Sequence, residues 1–363
     1  MMKQSLLALF MIFCITTIGC GKSDGTAGIP AKPSGGEIPL SKRPGSIGII
    51  GDTANVVKPV NGGMVLMGGG ADVEAAFKWM IARSGGGDVV ILRATGTDAY
   101  NPFINALGAV NSVETLLINS RELANDDGVA YIIRNAEMVF IAGGDQSDYM
   151  KYWKGTKTEQ ALNYLLNDKK APVGGTSAGC AILGGFYYSG ETGGITSAQA
   201  LANPYDSNVT LYNNDFLKAP YLQNVITDQH YLTRDREGRS VVFLGRINKD
   251  FKTPAKCIAA DERTAVCIDA DGKAQVFGDY SATRAYSYAY FIMPDAAKQP
   301  EQFEANKKVN WSGGEKAVSV YEIPASVNGG GNFNVANFKA SEAIGGKWYW
   351  WWIDNGVLNK KDQ

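Results

Sequence analysis

Apolar runs of strand length alternate with stretches of helical periodicity through the first half of the chain. Residues 64–70, MVLMGGG, form one such run, and in the segment that follows, Val73, Ala76, Phe77 and Met80 fall on one helical face. Three further apolar runs, at 88–96, 113–120 and 138–146, are each followed by a helical pattern. A fourth run, at 171–177, resembles a last strand. This pattern predicts an α/β fold with a doubly wound, mostly parallel sheet that is covered on both faces.

The pattern changes after about residue 240, where short apolar runs are separated by turn residues. Residues 256–278, 287–294 and 317–324 read as strands of C-terminal β-hairpins. The predicted parallel strands end in glycine-rich or polar segments, and open α/β sheets bind their ligands at that edge. The segment GGGADV after the first run lacks the third glycine of the dinucleotide-binding fingerprint, so it does not predict a nucleotide site.

The N-terminus has the character of an export signal. One lysine precedes an apolar run from Leu6 to Ile15, and small residues lead to Cys20. The segment before this cysteine resembles the lipobox of bacterial lipoproteins, although Thr17 stands where an aliphatic residue is usual. We therefore expect a lipoprotein signal peptide at 1–19, lipidation of Cys20, and an exported protein anchored to a bacterial membrane on its periplasmic or surface face.

The rest of the chain divides by composition. Residues 20–45 are rich in Gly, Pro, Ser and Lys, which indicates a flexible tether. Residues 46–340 form the expected catalytic domain, and 341–363 form a tryptophan-rich extension. We interpret its segment GGKWYWWWIDNG as a strand that covers one flank of the sheet, with a role in interactions as the alternative.

Charge and metal-binding residue types exclude some classes of function. The formal net charge is −1 and no basic run stands out, which argues against nucleic-acid binding. There is one histidine and no cysteine cluster, so a zinc site is not predicted. An exported protein could join Cys257 to Cys267 in a disulfide, but we expect two buried free thiols.

Residues 175–179, GTSAG, fit the G-x-S-x-G pattern of a nucleophile elbow. In such an elbow a strained turn between strand and helix exposes the serine hydroxyl, and side chains two residues away on either side would clash. The helix start behind Ser177 supplies free N–H groups for an oxyanion. The alternative is a tight glycine turn in which the serine is incidental.

The single histidine, His230, is the only candidate for the general base that a serine nucleophile needs. It ends the apolar run NVITDQH, so we expect it at the same sheet edge as Ser177. The base in turn needs an acid to fix its tautomer, and Asp228, Asp261 and Glu262 remain open on chemical grounds.

Four motifs in this order, AGGDQ, GGTSAG, DQHYLTRDREGR and DERTA, resemble the cyanophycinase family of serine exopeptidases, which are relatives of the aspartyl dipeptidase peptidase E. The resemblance spans about residues 60 to 290. It implies a fold of the class I glutamine-amidotransferase type and a mechanism that needs no cofactor and no metal.

The resemblance also implies roles for individual residues. Ser177 matches the nucleophile, His230 the general base and Glu262 the acid. The backbone N–H of Ala178, with that of Gly144 or Asp145, matches the oxyanion hole. The residues that match substrate-contacting positions are Gln146, Asp228, Gln229, Arg234, Arg236 and Arg239. Spaced arginines suit carboxylate recognition because each guanidinium pairs bidentately, and the alternative for these three is surface ion pairs with Asp235 and Glu237.

The expected function is a lipid-anchored serine exopeptidase that hydrolyses Asp-containing or β-Asp-linked peptides through Ser177, His230 and Glu262. One alternative is an esterase or other acyl hydrolase with the same three residues. Another is a surface lipoprotein without catalysis that binds peptide or glycan. A peptide substrate and the membrane are the expected partners, nucleic acid is not, and family members are often homodimers.

Overall fold

Strands and helices form largely where the apolar pattern predicts them. The computed structural model describes residues 43–279 and 287–363. The strands are β1 (Ser46–Gly51), β2 (Gly63–Met67), β3 (Asp88–Arg93), β4 (Ser112–Leu117), β5 (Met138–Ile141), β6 (Val173–Thr176), β7 (Phe186–Tyr188), β8 (Leu211–Asn213), β9 (Val225–Asp228), β10 (Lys256–Ala260), β11 (Thr264–Asp269), β12 (Lys273–Gly278), β13 (Tyr288–Pro294), β14 (Val318–Pro324), β15 (Gly330–Asn334), β16 (Lys347–Asp354) and β17 (Val357–Asp362). The helices are α1 (Glu74–Arg83), α2 (Tyr100–Leu107), α3 (Arg121–Ala124), α4 (Asp127–Asn135), α5 (Gln146–Trp153), α6 (Lys157–Tyr164), α7 (Ala178–Ala181), α8 (Ser197–Ala202) and α9 (Glu237–Phe251).

The first sheet has the strand order β1-β4-β3-β5-β6-β2-β11-β12-β15 within the described residues. Its centre, from β4 to β2, is parallel, and its flanking strands pair antiparallel. The strand β2 is buried on both faces: Met64 and Leu66 contact one apolar cluster, while Val65 and Met67 contact another that includes α1. The predicted α/β architecture, with a parallel sheet covered on both sides, is confirmed.

A second sheet has the order β17-β16-β14-β13-β10-β9-β7-β8. Its pairings β7–β9 and β9–β10 are parallel, and the others are antiparallel. Residues of α8 and α9 cover its outer face in a third apolar cluster. The C-terminal strands therefore form a layer of their own in addition to flanking the parallel strands.

One predicted hairpin is wrong. The strands β10 and β11 flank the segment Asp261–Arg263, but they do not pair with each other: β10 lies in the second sheet and β11 in the first. Each strand has other partners on both of its edges: β9 and β13 for β10, and β2 and β12 for β11. Residues 261–263 are thus a crossing between the two sheets.

The tryptophan-rich segment forms β16, which pairs with β14, and β17 forms the edge of the second sheet. The side chain of Trp351 is 1% exposed and belongs to the core of this sheet. From β17, Nζ of Lys360 lies 2.6 Å from Oε1 of Glu237 at the first residue of α9. The prediction that this segment forms a strand is confirmed, but β16 is an inner strand of the second sheet and does not cover a flank of the parallel sheet.

Two further expectations concern cysteines and the membrane. Cys257 and Cys267 are buried free thiols, as expected. The signal peptide 1–19, the lipidation residue Cys20 and most of the tether 20–45 lie outside the described residues. Within 43–279 and 287–363, none of the helices combines the length and apolar character that crossing a bilayer requires.

Candidate active site

Ser177 lies in a strained turn between β6 and α7. Its backbone has φ 51° and ψ −116°, a conformation that costs an L-residue of the order of 1–3 kcal/mol. A Cβ added to Gly175 would lie 2.5 Å from the carbonyl carbon of Gly179, and one added to Gly179 would lie 2.8 Å from that of Ile141. Both glycines are therefore sterically required, which confirms the reason given for the G-x-S-x-G spacing.

Three side chains from separate parts of the chain form a continuous hydrogen-bonded row. The Oγ of Ser177 lies 2.8 Å from Nε2 of His230, and Nδ1 of His230 lies 2.6 Å from Oε1 of Glu262. An ionised carboxylate can only accept, so Nδ1 carries the proton and donates to Glu262. Nε2 is then free to accept from the serine hydroxyl, which is the arrangement that general-base activation requires.

The end of β2 and the Gly-Gly-Gly turn after it bind the backbone at Ser177, at His230 and next to Glu262. The carbonyl oxygens of the successive residues 67, 68 and 69 accept the backbone N–H groups of Ser177 (3.1 Å), His230 (2.8 Å) and Arg263 (2.9 Å), respectively. A Cβ on Gly69 would lie 2.6 Å from Nε2 of His230. Sequence reasoning did not assign this turn to the site, although three glycines directly after a buried strand were a visible signal of close backbone approach.

The surroundings of His230 favour its neutral form. Burial lowers the pKa of His230 below its ordinary value of 6.5, and the nearby cations Arg234 and Arg236 act in the same direction, against the opposing hydrogen bond with Glu262. The imidazole is only 6% exposed. At neutral pH the ring is therefore unprotonated and able to accept a proton.

The turn after β5 forms the other side of the site. A Cβ on Gly143 would lie 3.9 Å from Oγ of Ser177, so Gly143 is the residue of this turn that the structure brings beside the serine. Tyr149 Oη donates to the carbonyl oxygen of Ala142 at 2.7 Å and fixes the turn. Gly144 and Asp145, the predicted oxyanion residues, follow on the exposed side, and the Asp145 carboxylate accepts from the N–H of Ser147. Sequence reasoning did not single out Gly143.

Ala178 directly follows the serine as the first residue of α7 and is 1% exposed. Its N–H belongs to the first turn of a helix, where backbone donors have no partner within the helix. Its position is therefore compatible with donation to an oxyanion formed at Ser177.

Asp228 and Arg239 differ from the prediction that they contact substrate. Both are buried, at 2% and 3% exposure, and they pair with each other: Nε of Arg239 lies 3.0 Å from Oδ2 of Asp228. Asp228 also accepts from Ser240 Oγ at 2.8 Å. Although burial opposes ionisation, the charge of Arg239 outweighs it and the pKa of Asp228 lies below its usual range. This pair joins the end of β9 to α9 and is not accessible to a peptide.

The other residues that were predicted to contact substrate differ in exposure and in hydrogen-bond partners. Arg234 is exposed and has no ion pair within the described ranges, while Arg236 is half-buried and its Nη1 donates to the carbonyl oxygen of Gln229 at 2.8 Å. Gln229 itself is 4% exposed. Gln146 begins α5 and faces the loop at Gly190, where an added Cβ would lie 2.9 Å from its Nε2.

The alternative of surface ion pairs around these arginines is not observed: Glu237 pairs with Lys360, and Asp235 has no ion pair among the described residues. Nor does that part of the chain hold a group of three or more His, Cys, Asp or Glu side chains arranged to bind a metal ion.

The family model and the curated relatives agree on one family. Residues 96–276 match the model of peptidase family S51. The chain is 28% identical over 250 residues to the cyanophycinases of Synechococcus elongatus and of Thermosynechococcus vestitus, covering 64% of this chain and 72% of each relative. A solved peptidase from an acI-B1 Actinobacterium aligns with 61% of this chain and 89% of its own, at 18% identity and a TM-score of 0.43.

The matched span of the family model includes Ser177, His230 and Glu262 and ends within β12. By this match and by its similarity to the two cyanophycinases, the chain belongs to peptidase family S51 and is a serine-type peptidase that acts on peptide substrates.

Proposed function

We propose that the chain is a cyanophycinase-like serine exopeptidase in which Ser177, His230 and Glu262 form the catalytic triad. The observation that carries the proposal is the uninterrupted row of hydrogen bonds from Ser177 Oγ through the imidazole to Glu262. Such a row activates a hydroxyl that would otherwise be a weak nucleophile at neutral pH.

In the proposed reaction, Oγ of Ser177 attacks the scissile carbonyl carbon while Nε2 of His230 takes the hydroxyl proton. The oxyanion receives hydrogen bonds from the N–H of Ala178 and from the turn 143–145, which contains Gly144 and Asp145. Collapse of the tetrahedral species breaks the C–N bond, and the imidazolium returns its proton to the leaving amine. Water then hydrolyses the acyl-enzyme by the same steps, with His230 again as base.

We further propose that the preferred substrates contain aspartate, in an α- or β-linked peptide. Arg234 supports this because it is an exposed cation beside His230 without a carboxylate partner among the described residues. Arg236, half-buried next to it, offers a second guanidinium. A carboxylate in the substrate would pair with Arg234, while Arg236 already has an ion pair with Asp228 at 3.6 Å and would share its charge between the two carboxylates.

The test compares wild-type protein with Ser177→Ala on a panel of Asp-X and β-Asp-X dipeptides and p-nitrophenyl esters, with products identified by mass spectrometry. We expect the wild type to release free amino acids from the peptides and the variant to be inactive while its circular dichroism is unchanged. A serine-directed phosphonate should label only the wild type at residue 177. Equal peptide hydrolysis by both proteins would refute the triad, and cleavage of esters alone would favour the acyl-hydrolase alternative.

We also propose that Cys20 carries a lipid and anchors the exported enzyme to a membrane. The supporting observation is the apolar run followed by small residues before this cysteine. Metabolic labelling with an alkyne fatty acid should mark the wild type and not Cys20→Ala, and equal labelling would contradict the anchor. Light scattering of the purified protein tests the expected homodimer.

A further inference from the structure

The His230 loop, residues 230–236, turns sharply at the histidine and then runs along the surface. His230 has φ 48°, in the left-handed region, and Thr233, Arg234 and Asp235 are exposed. The N–H of Arg234 donates to the carbonyl oxygen of His230 at 3.0 Å, so the histidine and the exposed residues belong to one short turn. A displacement of the exposed residues would therefore also displace the imidazole.

Asp261 binds the exposed part of this loop from the protein interior. Its Oδ1 accepts from the backbone N–H of Thr233 at 3.1 Å and from Oγ1 of Thr233 at 2.8 Å. Asp261 is 0% exposed, and it directly precedes Glu262, whose carboxylate accepts from Nδ1 of His230. Two consecutive residues thus hold the loop at two points, one at the imidazole ring and the other at the backbone three residues later.

The backbone around Asp261 is itself fixed on both sides. The N–H of Asp261 donates to the carbonyl oxygen of Tyr288 in β13 at 3.1 Å, and the N–H of Arg263 donates to that of Gly69 at 2.9 Å. A Cβ added to Gly68 would overlap the carbonyl oxygen of Asp261, so the glycine turn packs directly on this backbone. The Asp261 carboxyl group is therefore a rigid point to which the His230 loop is tied.

Stability alone does not account for a carboxyl group at this position. Oδ2 of Asp261 has no hydrogen-bond partner among the described residues, although the side chain is buried. A buried polar atom without a partner lowers stability, and the single residue that the other oxygen binds, Thr233, lies at the surface. What the contact provides is a fixed position for the loop that carries the imidazole.

We propose that Asp261 is a positioning residue, which acts through Thr233 to hold the His230 loop so that the imidazole stays aligned between Ser177 and Glu262. The inference rests on the proposed triad and extends it to a residue that acts only through the loop. The two neighbouring acids then have different roles: Glu262 orients the ring, and Asp261 orients the backbone that carries the ring.

The test compares Asp261→Ala, which removes the acceptor, with Asp261→Asn, which keeps a side-chain carbonyl oxygen. In folded protein, Asp261→Ala should lower kcat by at least about tenfold, because misplacing a catalytic group by about 1 Å costs on the order of 100-fold. Labelling of Ser177 by a small uncharged phosphonate should slow equally, since this probe has no carboxylate for Arg234. Asp261→Asn should stay within about threefold of the wild type, because its amide oxygen can still accept from Thr233.

A second measurement does not depend on turnover. The chain has a single histidine, so isotope-labelled histidine gives imidazole NMR signals from His230 alone. The wild type should show one neutral tautomer, protonated at Nδ1, whereas Asp261→Ala should show a mixture of the two tautomers. Thr233→Val removes only a surface hydroxyl and should shift the signals part of the way, so it serves as the test if Asp261→Ala does not fold.

The control is Asp88→Ala. The Asp88 carboxyl group also accepts from a hydroxyl and a backbone N–H, those of Ser112 at 2.6 Å and Val56 at 3.1 Å. It lies at the start of β3, however, at the edge of the parallel strands opposite to Ser177. This variant should lose thermal stability and keep the wild-type kcat, labelling rate and imidazole signals.

Two results would overturn the positioning role: wild-type values of all three measurements in folded Asp261→Ala, or equal losses in Asp261→Ala and Asp261→Asn. Failure of the wild type to cleave peptides would instead refute the proposed function, and the imidazole signals would still decide the role of Asp261.

Discussion

Replacing Gly69 with alanine places one methyl group against the imidazole of His230. The added Cβ would lie 2.4 Å from Cε1 and 2.6 Å from Nε2, the nitrogen that we propose accepts the serine proton, whereas ordinary van der Waals contact begins at 3.4 Å. Gly69 is the last of three successive residues whose carbonyl groups accept the backbone N–H groups of Ser177, His230 and Arg263. The ring, rather than the turn, is therefore the group that must move.

The displacement needed is about 1 Å, which is the difference between the 2.4 Å approach to Cε1 and the 3.4 Å at which ordinary contact begins. A shift of this size can take the 2.8 Å hydrogen bond between Ser177 and His230 out of range. Misplacing a catalytic group by about 1 Å costs on the order of 100-fold in rate, equivalent to about 2.7 kcal/mol. The alanine also meets a backbone penalty, because the φ of Gly69 is +96° and L-residues lose about 1–2 kcal/mol there.

A control separates the two effects. Gly314 also has a positive φ, +66°, but a Cβ at this position would meet nothing within 4 Å. Gly314→Ala should therefore carry a backbone penalty of the same kind without touching the imidazole. We expect both variants to lose some thermal stability, whereas only Gly69→Ala should lose about 100-fold in kcat/KM and react slowly with a phosphonate. Activities of the two variants within about threefold of each other would refute the steric reasoning.

Three further predictions follow from the charges. Because burial holds the pKa of His230 below 6.5, kcat/KM should rise with pH to a midpoint below 6.5 and then level off, and an activity midpoint above 7 would contradict the assignment. The folded protein should lose stability as the pH falls below 6.5, because the unfolded chain then binds a proton more readily than the folded one. In urea unfolding, Lys360→Met should cost about 1–2 kcal/mol because it leaves the buried Glu237 without its cation, whereas Lys361→Met, in an exposed pair, should cost less than about 0.5. Arg239→Met should cost about 3 kcal/mol, since the buried Asp228 would lose its nearest cation and keep only Arg236 at 3.6 Å, and a loss under about 1 would argue that the pair is dispensable.

The parallel centre of the fold was predictable because its signals are local. Each strand from β2 to β6 is an apolar run ended by glycine or a polar residue, and each is followed by a helical pattern. Pairing after β9 was not predictable in the same way. The strands β10 and β11 are close in sequence and uniformly buried, and that apolar pattern is the same whether a strand pairs with its neighbour in sequence or with a distant partner.

The site was predictable as far as residue chemistry reaches. A lone histidine and a serine in an elbow motif could be brought together by reasoning about strand ends, and the structure does bring them to 2.8 Å. The sequence did not show towards which neighbouring residue a carboxylate side chain points. Asp228 lies two residues before the histidine, but its partner Arg239 is eleven residues further along, on a helix whose orientation only the folded chain defines.

The geometry of the site depends on backbone conformation more than on side-chain packing. Ser177, His230 and Arg263 have φ values of 51°, 48° and 59°, and each strained residue has its N–H fixed by one carbonyl of the turn 67–69. Such strain persists only where the surrounding structure over-determines it. The segment that positions Ser177 and His230 thus has no reactive side chain, so reactive residue types do not point to it. For the same reason, a single methyl group at Gly69 is expected to lower activity more than the loss of a surface ion pair does.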